Sequence, residues 1–278
     1  MTYSTIMVNL ELGCSNAGVT GAAGNLAERF GASVVGIAAC QPMPIVGMDT
    51  DGYYVPEALI EQDRARIDSD IKAAEAEFRS ALQGRVKAIS WRSNVMLGSI
   101  ADYIAGEARC ADIVITAGSG DTPSELARRV NPGDLLMQMG RPVLLVPAEA
   151  APLALDRVLV AWKDSRQARR AVADALPLLE KASHVAVASI AAAEDIAAAR
   201  SQVADVVGWL KQHGIKAVST VAKPAGDDAG QLLAMAREHE AGVIVAGAYG
   251  HSRLREWALG GVTRHLLLHG RGCALLSH

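Results

Sequence analysis

Along this chain, short apolar runs alternate with longer stretches in which apolar residues recur every three or four positions. Ile6-Met7-Val8, Ile113-Val114-Ile115, Val158-Leu159-Val160 and Val243-Ile244-Val245 are typical of the runs. They are too short for helices, and they do not alternate polar with apolar. Such segments read as strands buried on both faces, as in a parallel sheet between two helix layers. The pattern predicts strands at 5–10, 33–39, 87–94, 113–117 and 142–146, and again at 157–161, 184–189, 216–221, 243–246 and 273–276. Between them it predicts helices at 16–30, 57–82, 99–109 and 132–139, then 165–180, 194–213, 229–238 and 262–269. Strand–helix alternation of this kind implies an α/β fold of two doubly wound, parallel-sheet, Rossmann-like domains. In such sheets ligands sit at the carboxyl ends of the strands, where the strand order reverses.

The order of elements repeats, and so does the sequence. "ADIVITAGSGD" (111–121) falls on "AGVIVAGAYGH" (241–251), and "GRPVLLVP" (140–147) falls on "GRGCALLS" (270–277) at the same offset. "IMVNLELGCS" (6–15) resembles "VLVAWKDSRQ" (158–167) at a larger offset. A unit this large, present twice, is a duplicated domain rather than a solenoid. The expected division is a first domain at 1–147, an Ala/Pro-rich linker at 148–156 and a second domain at 157–278. The extra residues of the first unit include "CQPMPIVGMDTDGYYVPEA" (40–58), where the second has only "AAAEDI" (191–196). With Met43, Met48, Tyr53 and Tyr54, this insertion reads either as a lid over an apolar ligand or as a surface excursion packed on its own side chains.

Composition narrows the picture. Half of the 278 residues are hydrophobic but only 4% are aromatic, so the cores are built of Ala, Val, Leu and Ile. A net charge of −3 without long single-sign runs gives no electrostatic case for nucleic acid or an acidic membrane surface. There is no basic segment followed by a long apolar one at the start, and no apolar run long enough to span a bilayer. Cys14, Cys40, Cys110 and Cys273 are scattered, which fits reduced thiols in a cytoplasmic protein.

The candidate chemistry lies near the C-terminus. Gly247 and Gly250 follow a strand and could turn the chain at φ values that a Cβ would penalise. Gly260 and Gly261 lead into Val262, the start of an expected helix, where bare N–H groups favour an anion and Thr263 can add a hydroxyl. The competing reading is a tight turn and an uncapped helix start with nothing bound. Other signals are weaker. His265 and His269 share a helix face without an identified third ligand, although His251 and His278 are candidates. Gly18, Gly21 and Gly24 read as close packing of the first helix on the sheet. Asp112, Asp121, Glu125 and Asp134 form no acid–base pair, and Ser119 and Ser252 lack His-Asp partners. There is no nucleophile elbow or Walker lysine.

Gly247-x2-Gly250-x9-Gly260 resembles the nucleotide-binding signature of universal stress proteins, a Gly-x2-Gly-x9-Gly followed by Ser or Thr. "VLVAWKDS" and the closing strands "GRPVLLVP" and "GRGCALLSH" extend the resemblance over nearly the whole chain. It implies adenine nucleotide alpha hydrolase-like domains that bind ATP, with Mg2+ when bound, in a stress or regulatory role with at most weak ATPase activity. It also implies pairing through the last strand, here as an intramolecular pseudo-dimer, with a homodimer of chains also open. The implied ligand contacts are Ala161, Trp162, Lys163 and Ile190 on one side, and Gly247, Gly250, His251, Arg253, Gly260, Gly261, Val262 and Thr263 on the other. No catalytic residue is implied. Two departures stand out: Gly261 replaces the family's hydroxyl residue, and Lys163 replaces the Asp that contacts ribose, with Asp164 one step later. In the first domain the glycine positions become Ala117, Gly120, Val130 and Asn131. Val130 puts an isopropyl group where a phosphate needs bare backbone. The alternative is therefore a nucleotide-free interaction protein of the same fold, with another small ligand in its first domain.

Overall fold

The computed structural model describes residues 2–42, 57–118, 129–147, 154–248 and 272–278. The first half contributes β1 (Thr5–Asn9), α1 (Ala17–Phe30), β2 (Ser33–Cys40), α2 (Glu57–Leu82), β3 (Ile89–Val95), α3 (Ile100–Glu107), β4 (Ile113–Ala117), α4 (Pro132–Met139) and β5 (Val143–Val146). The second contributes β6 (Arg157–Ala161), α5 (Arg166–Glu180), β7 (His184–Ile190), α6 (Ile196–Gln212), β8 (Ala217–Ala222), α7 (Asp228–Glu238), β9 (Val243–Gly247) and β10 (Cys273–Ser277). These bounds lie close to those the apolar pattern predicts. The expected helix at 262–269 and most of the 40–58 insertion fall outside the described residues.

The strands form one ten-stranded sheet in the order β3-β2-β1-β4-β5-β10-β9-β6-β7-β8. Neighbours are parallel within each half, and the halves meet where β10 runs antiparallel to β5, with Leu275 opposite Leu144. Each last strand would otherwise leave an apolar edge open to unwanted pairing. The sheet's outer edges are instead β3 and β8, whose residues are mostly half-buried or exposed.

Alternation along each strand feeds two cores. One lies beneath α1, α2, α5 and α6, and holds Val8, Ile115, Val158, Val160, Val245 and Leu275. The other lies beneath α3, α4 and α7, and holds Met7, Val114, Leu159, Ile244 and Leu276. Both span the two halves. A second contact joins the halves at the ends of α1 and α5. Arg29 donates to the Lys181 carbonyl, and Lys181 Nζ donates to the Arg29 carbonyl. These residues are 152 apart, the offset at which the first strands of the two units align, so the clasp pairs equivalent positions. Tyr3 adds its hydroxyl to the Asp174 carbonyl at 2.7 Å and its ring edge to Phe30. Burial raises the Tyr3 pKa, helped by Asp174 and Asp112, so the hydroxyl stays protonated and keeps that bond.

Two of the glycines of α1, Gly21 and Gly24, do not serve the sheet. A Cβ on Gly24 would come within 2.7 Å of the Arg85 guanidinium, while one on Gly21 would meet nothing within 4 Å. Gly24 therefore makes room for Arg85, which reaches across to Glu28 and Asn25.

Candidate functional site

In the second half the strand order reverses between β6 and β9, which lie side by side; β1 and β4 are the corresponding pair in the first half. A crevice opens above such a reversal at the carboxyl ends of the strands. On the second-half rim stand Ala161 and Trp162 from β6, Ile190 from β7, and Gly247 and Ala248 from β9.

The expected ligand set divides between the faces of the sheet. Ala161 and Ile190 pack on the α7 side. Trp162 turns its side chain into the core under α5, its indole Nε1 buried without a hydrogen-bond partner. Its backbone N–H meanwhile extends the β6–β7 ladder to the Ala188 carbonyl at 2.7 Å. Lys163 is exposed, and Asp164, the residue that could replace it after a one-residue slip, is paired with Arg169. Gly250, His251, Arg253, Gly260, Gly261, Val262 and Thr263, with His265, His269 and Ser252, lie outside the described residues.

Gly247 has a different reason from a turn. Its φ is not in the left-handed region. A Cβ there would lie 2.4 Å from Ala168 N and 2.5 Å from the Gln167 carbonyl carbon. The missing side chain lets the first turn of α5 rest directly on the end of β9. That turn starts at Ser165, whose hydroxyl accepts from the Ala168 N–H at 3.1 Å.

At the first-half reversal the same positions are filled. Glu11, aligned with Lys163, reaches across to Arg129, with Oε2 3.4 Å from Nη1. Val130, aligned with Gly260, is buried in the core under α3 and α4. Asn131, aligned with Gly261, caps α4: its Oδ1 accepts from Gly133 N at 2.8 Å and Asp134 N at 3.2 Å. The N–H groups that could greet an anion are thus taken, and the Asp134 carboxylate in the same turn would repel one. Beneath them the buried Asn9 amide donates to Thr116 Oγ1 at 3.1 Å, where the second half has Ala161 and Ala246. An Asn near the end of the apolar run "IMVNL" was a legible signal for this pair.

Among the described residues, no three His, Cys, Asp or Glu side chains gather to hold a metal ion, and no helix is long and apolar enough to cross a membrane. Burial pushes the Cys273 thiol up to about 12, so it stays protonated and unreactive.

Known structures share this architecture. A universal stress protein from Archaeoglobus fulgidus aligns over 98% of this chain and 97% of its own, at 16% identity and a TM-score of 0.68. The fold is that of universal stress proteins. One described as a putative universal stress protein from Pseudomonas aeruginosa aligns over 99% of this chain and 93% of its own, at 17% identity and a TM-score of 0.63. A protein of unknown function from the same species aligns over 99% and 92%, at 15% identity and a TM-score of 0.61. No protein-family model matches the chain, and no curated protein matches it in sequence.

Proposed function

We propose that the chain is a tandem universal stress protein whose second half binds one adenine nucleotide, ATP with Mg2+, in a stress-response or regulatory role without rapid chemistry. The observation that carries this reading is the contrast between the two reversals. In the first half Arg129, Val130 and Asn131 strap, plug and cap the position. The aligned residues of the second half are Leu259, Gly260 and Gly261, two of them without side chains. The Gly-x2-Gly-x9-Gly spacing supports the reading, because bare backbone at a helix start suits a phosphate. Ala161 and Ile190 supply an apolar surface beside it, suited to a base, and Lys163 supplies a cation on the rim.

In the same reading the domains 1–147 and 157–278, joined by 148–156, act as an intramolecular pseudo-dimer. The β5–β10 pairing and the Arg29–Lys181 clasp support it. The missing acidic ribose partner at position 163 favours the nucleotide-free alternative. Mass spectrometry of the natively purified protein separates the two. One co-purified adenine nucleotide per chain is expected. Protein that carries none, and takes up none when ATP is added, would give the lead to the nucleotide-free reading.

A further inference from the structure

We propose that His184 and His239 form an acid-sensitive latch that fastens the C-terminal end of α7 to the sheet. His184 opens β7, and His239 follows the last residue of α7. His184 Nε2 lies 3.3 Å from His239 Nδ1, and His239 Nε2 lies 3.3 Å from Thr220 Oγ1 on the outer strand β8. The ring centroids are 5.5 Å apart and the planes 27° from parallel. The facing nitrogens are far closer than the centroids, so the rings meet nitrogen to nitrogen rather than face to face. Arg157 of β6 holds the same corner, its Nε donating to the His239 carbonyl at 2.8 Å and lying 3.5 Å from Glu240 Oε2.

Counting protons gives the latch its sign. With both rings neutral, one N–H lies between His184 and His239, and the bond is made. A first added proton is accommodated, because a cationic His239 donates to His184 on one side and to Thr220 on the other. A second leaves two N–H groups facing each other across 3.3 Å. It also gathers three positive charges, the two imidazoliums and the Arg157 guanidinium, against Glu240, whose side chain is 77% exposed. The groups that face the pair are Arg157 from β6, His239 and Glu240 from the end of α7, and the uncharged Thr220 from β8. Burial, then the Arg157 guanidinium and His239, hold His184 below the ordinary 6.5, while Glu240 pulls weakly the other way. The unfolded chain thus takes this proton more readily than the folded one, and stability is lost as pH falls below about 6.5.

The helix so fastened covers the core that reaches the second-half rim. Leu232, Met235 and Ala236 of α7 pack there with Ala186, Ala188, Ile244 and Ala246. His184 and Arg157 stand at the amino ends of their strands and Thr220 lies farther along, opposite Ala188, so acid loosens the cover over the strands beneath α7. The latch is independent of nucleotide binding.

Hydrogen exchange of the full chain, read by mass spectrometry at about pH 7.5 and about pH 5 and corrected for intrinsic rates, tests it. Protection over 228–240 should fall measurably at the lower pH, while α5 keeps its protection. In His184→Gln, whose amide reaches toward His239 without titrating, the α7 fall should vanish. Equal α7 protection at both values, or an undiminished fall in H184Q, would overturn the proposal. NMR titration of the wild-type imidazoles is a second reading that needs no variant. A His184 titration below the ordinary range is expected; a His184 titration at or above the ordinary value would overturn it.

Discussion

Replacing Gly247 by Ala adds a single methyl group at a tightly packed point of the second-half rim. Its contacts would be Ala168 N at 2.4 Å, the Gln167 carbonyl carbon at 2.5 Å and Ala168 Cα at 2.9 Å. All three are backbone atoms of the first turn of α5, so no side chain can swing away. Reaching ordinary contact requires the helix start to retreat by about an ångström, which loosens close packing on β9. Overpacking of this kind costs about 1–3 kcal/mol, or a fall in Tm of about 2–12 °C at about 2–4 °C per kcal/mol. Gly208→Ala is the matched control. Gly208 is exposed within α6, a Cβ there meets nothing within 4 Å, and helix propensity predicts a gain of about 0.5–1 kcal/mol. Thermal unfolding of the two variants beside the wild type is the assay. If Gly247→Ala unfolds with the wild type or above it, the helix start is not held as described, and Gly247 returns to being a turn residue.

Other substitutions probe the first half and the proposed site. Asn131→Ala should destabilise by about 1 kcal/mol through loss of the α4 cap, measured by urea unfolding, and should leave ATP affinity unchanged. Thr116→Val should cost about 1–3 kcal/mol by stranding the buried Asn9 amide; Asn9→Ala with Thr116→Ala, which copies the second half, should remove the unmet donor, so the two changes should be less than additive. Gly260→Val, which copies Val130, should weaken ATP binding by about two to four orders of magnitude through loss of two or more charge-assisted bonds, with circular dichroism confirming an intact fold.

The fold was legible because the inner strands are apolar runs with their own flanking breaks, and the duplicated segments fixed the order of elements twice. The clasp was not legible, since Arg29 and Lys181 become partners only once β5 and β10 have paired. The site was read less well for a similar reason. "VLVAWKDS" aligns Trp162 with its neighbours along the chain, but alternation sends Trp162 to one face of the sheet and Ala161 to the other. The need for glycine at 247 is likewise set by α5, some eighty residues earlier, rather than by local backbone. The closing of the first half was half visible: Val130 marked the plug, while the Glu11–Arg129 strap and the Asn131 cap needed coordinates.

Isothermal titration of the purified full-length protein with Mg2+ and ATP tests the central claim most directly. The account predicts saturable binding of one nucleotide per chain, abolished or greatly weakened by Gly260→Val and untouched by Asn131→Ala. Binding of two nucleotides per chain, or none, or binding that survives Gly260→Val unchanged, would contradict it.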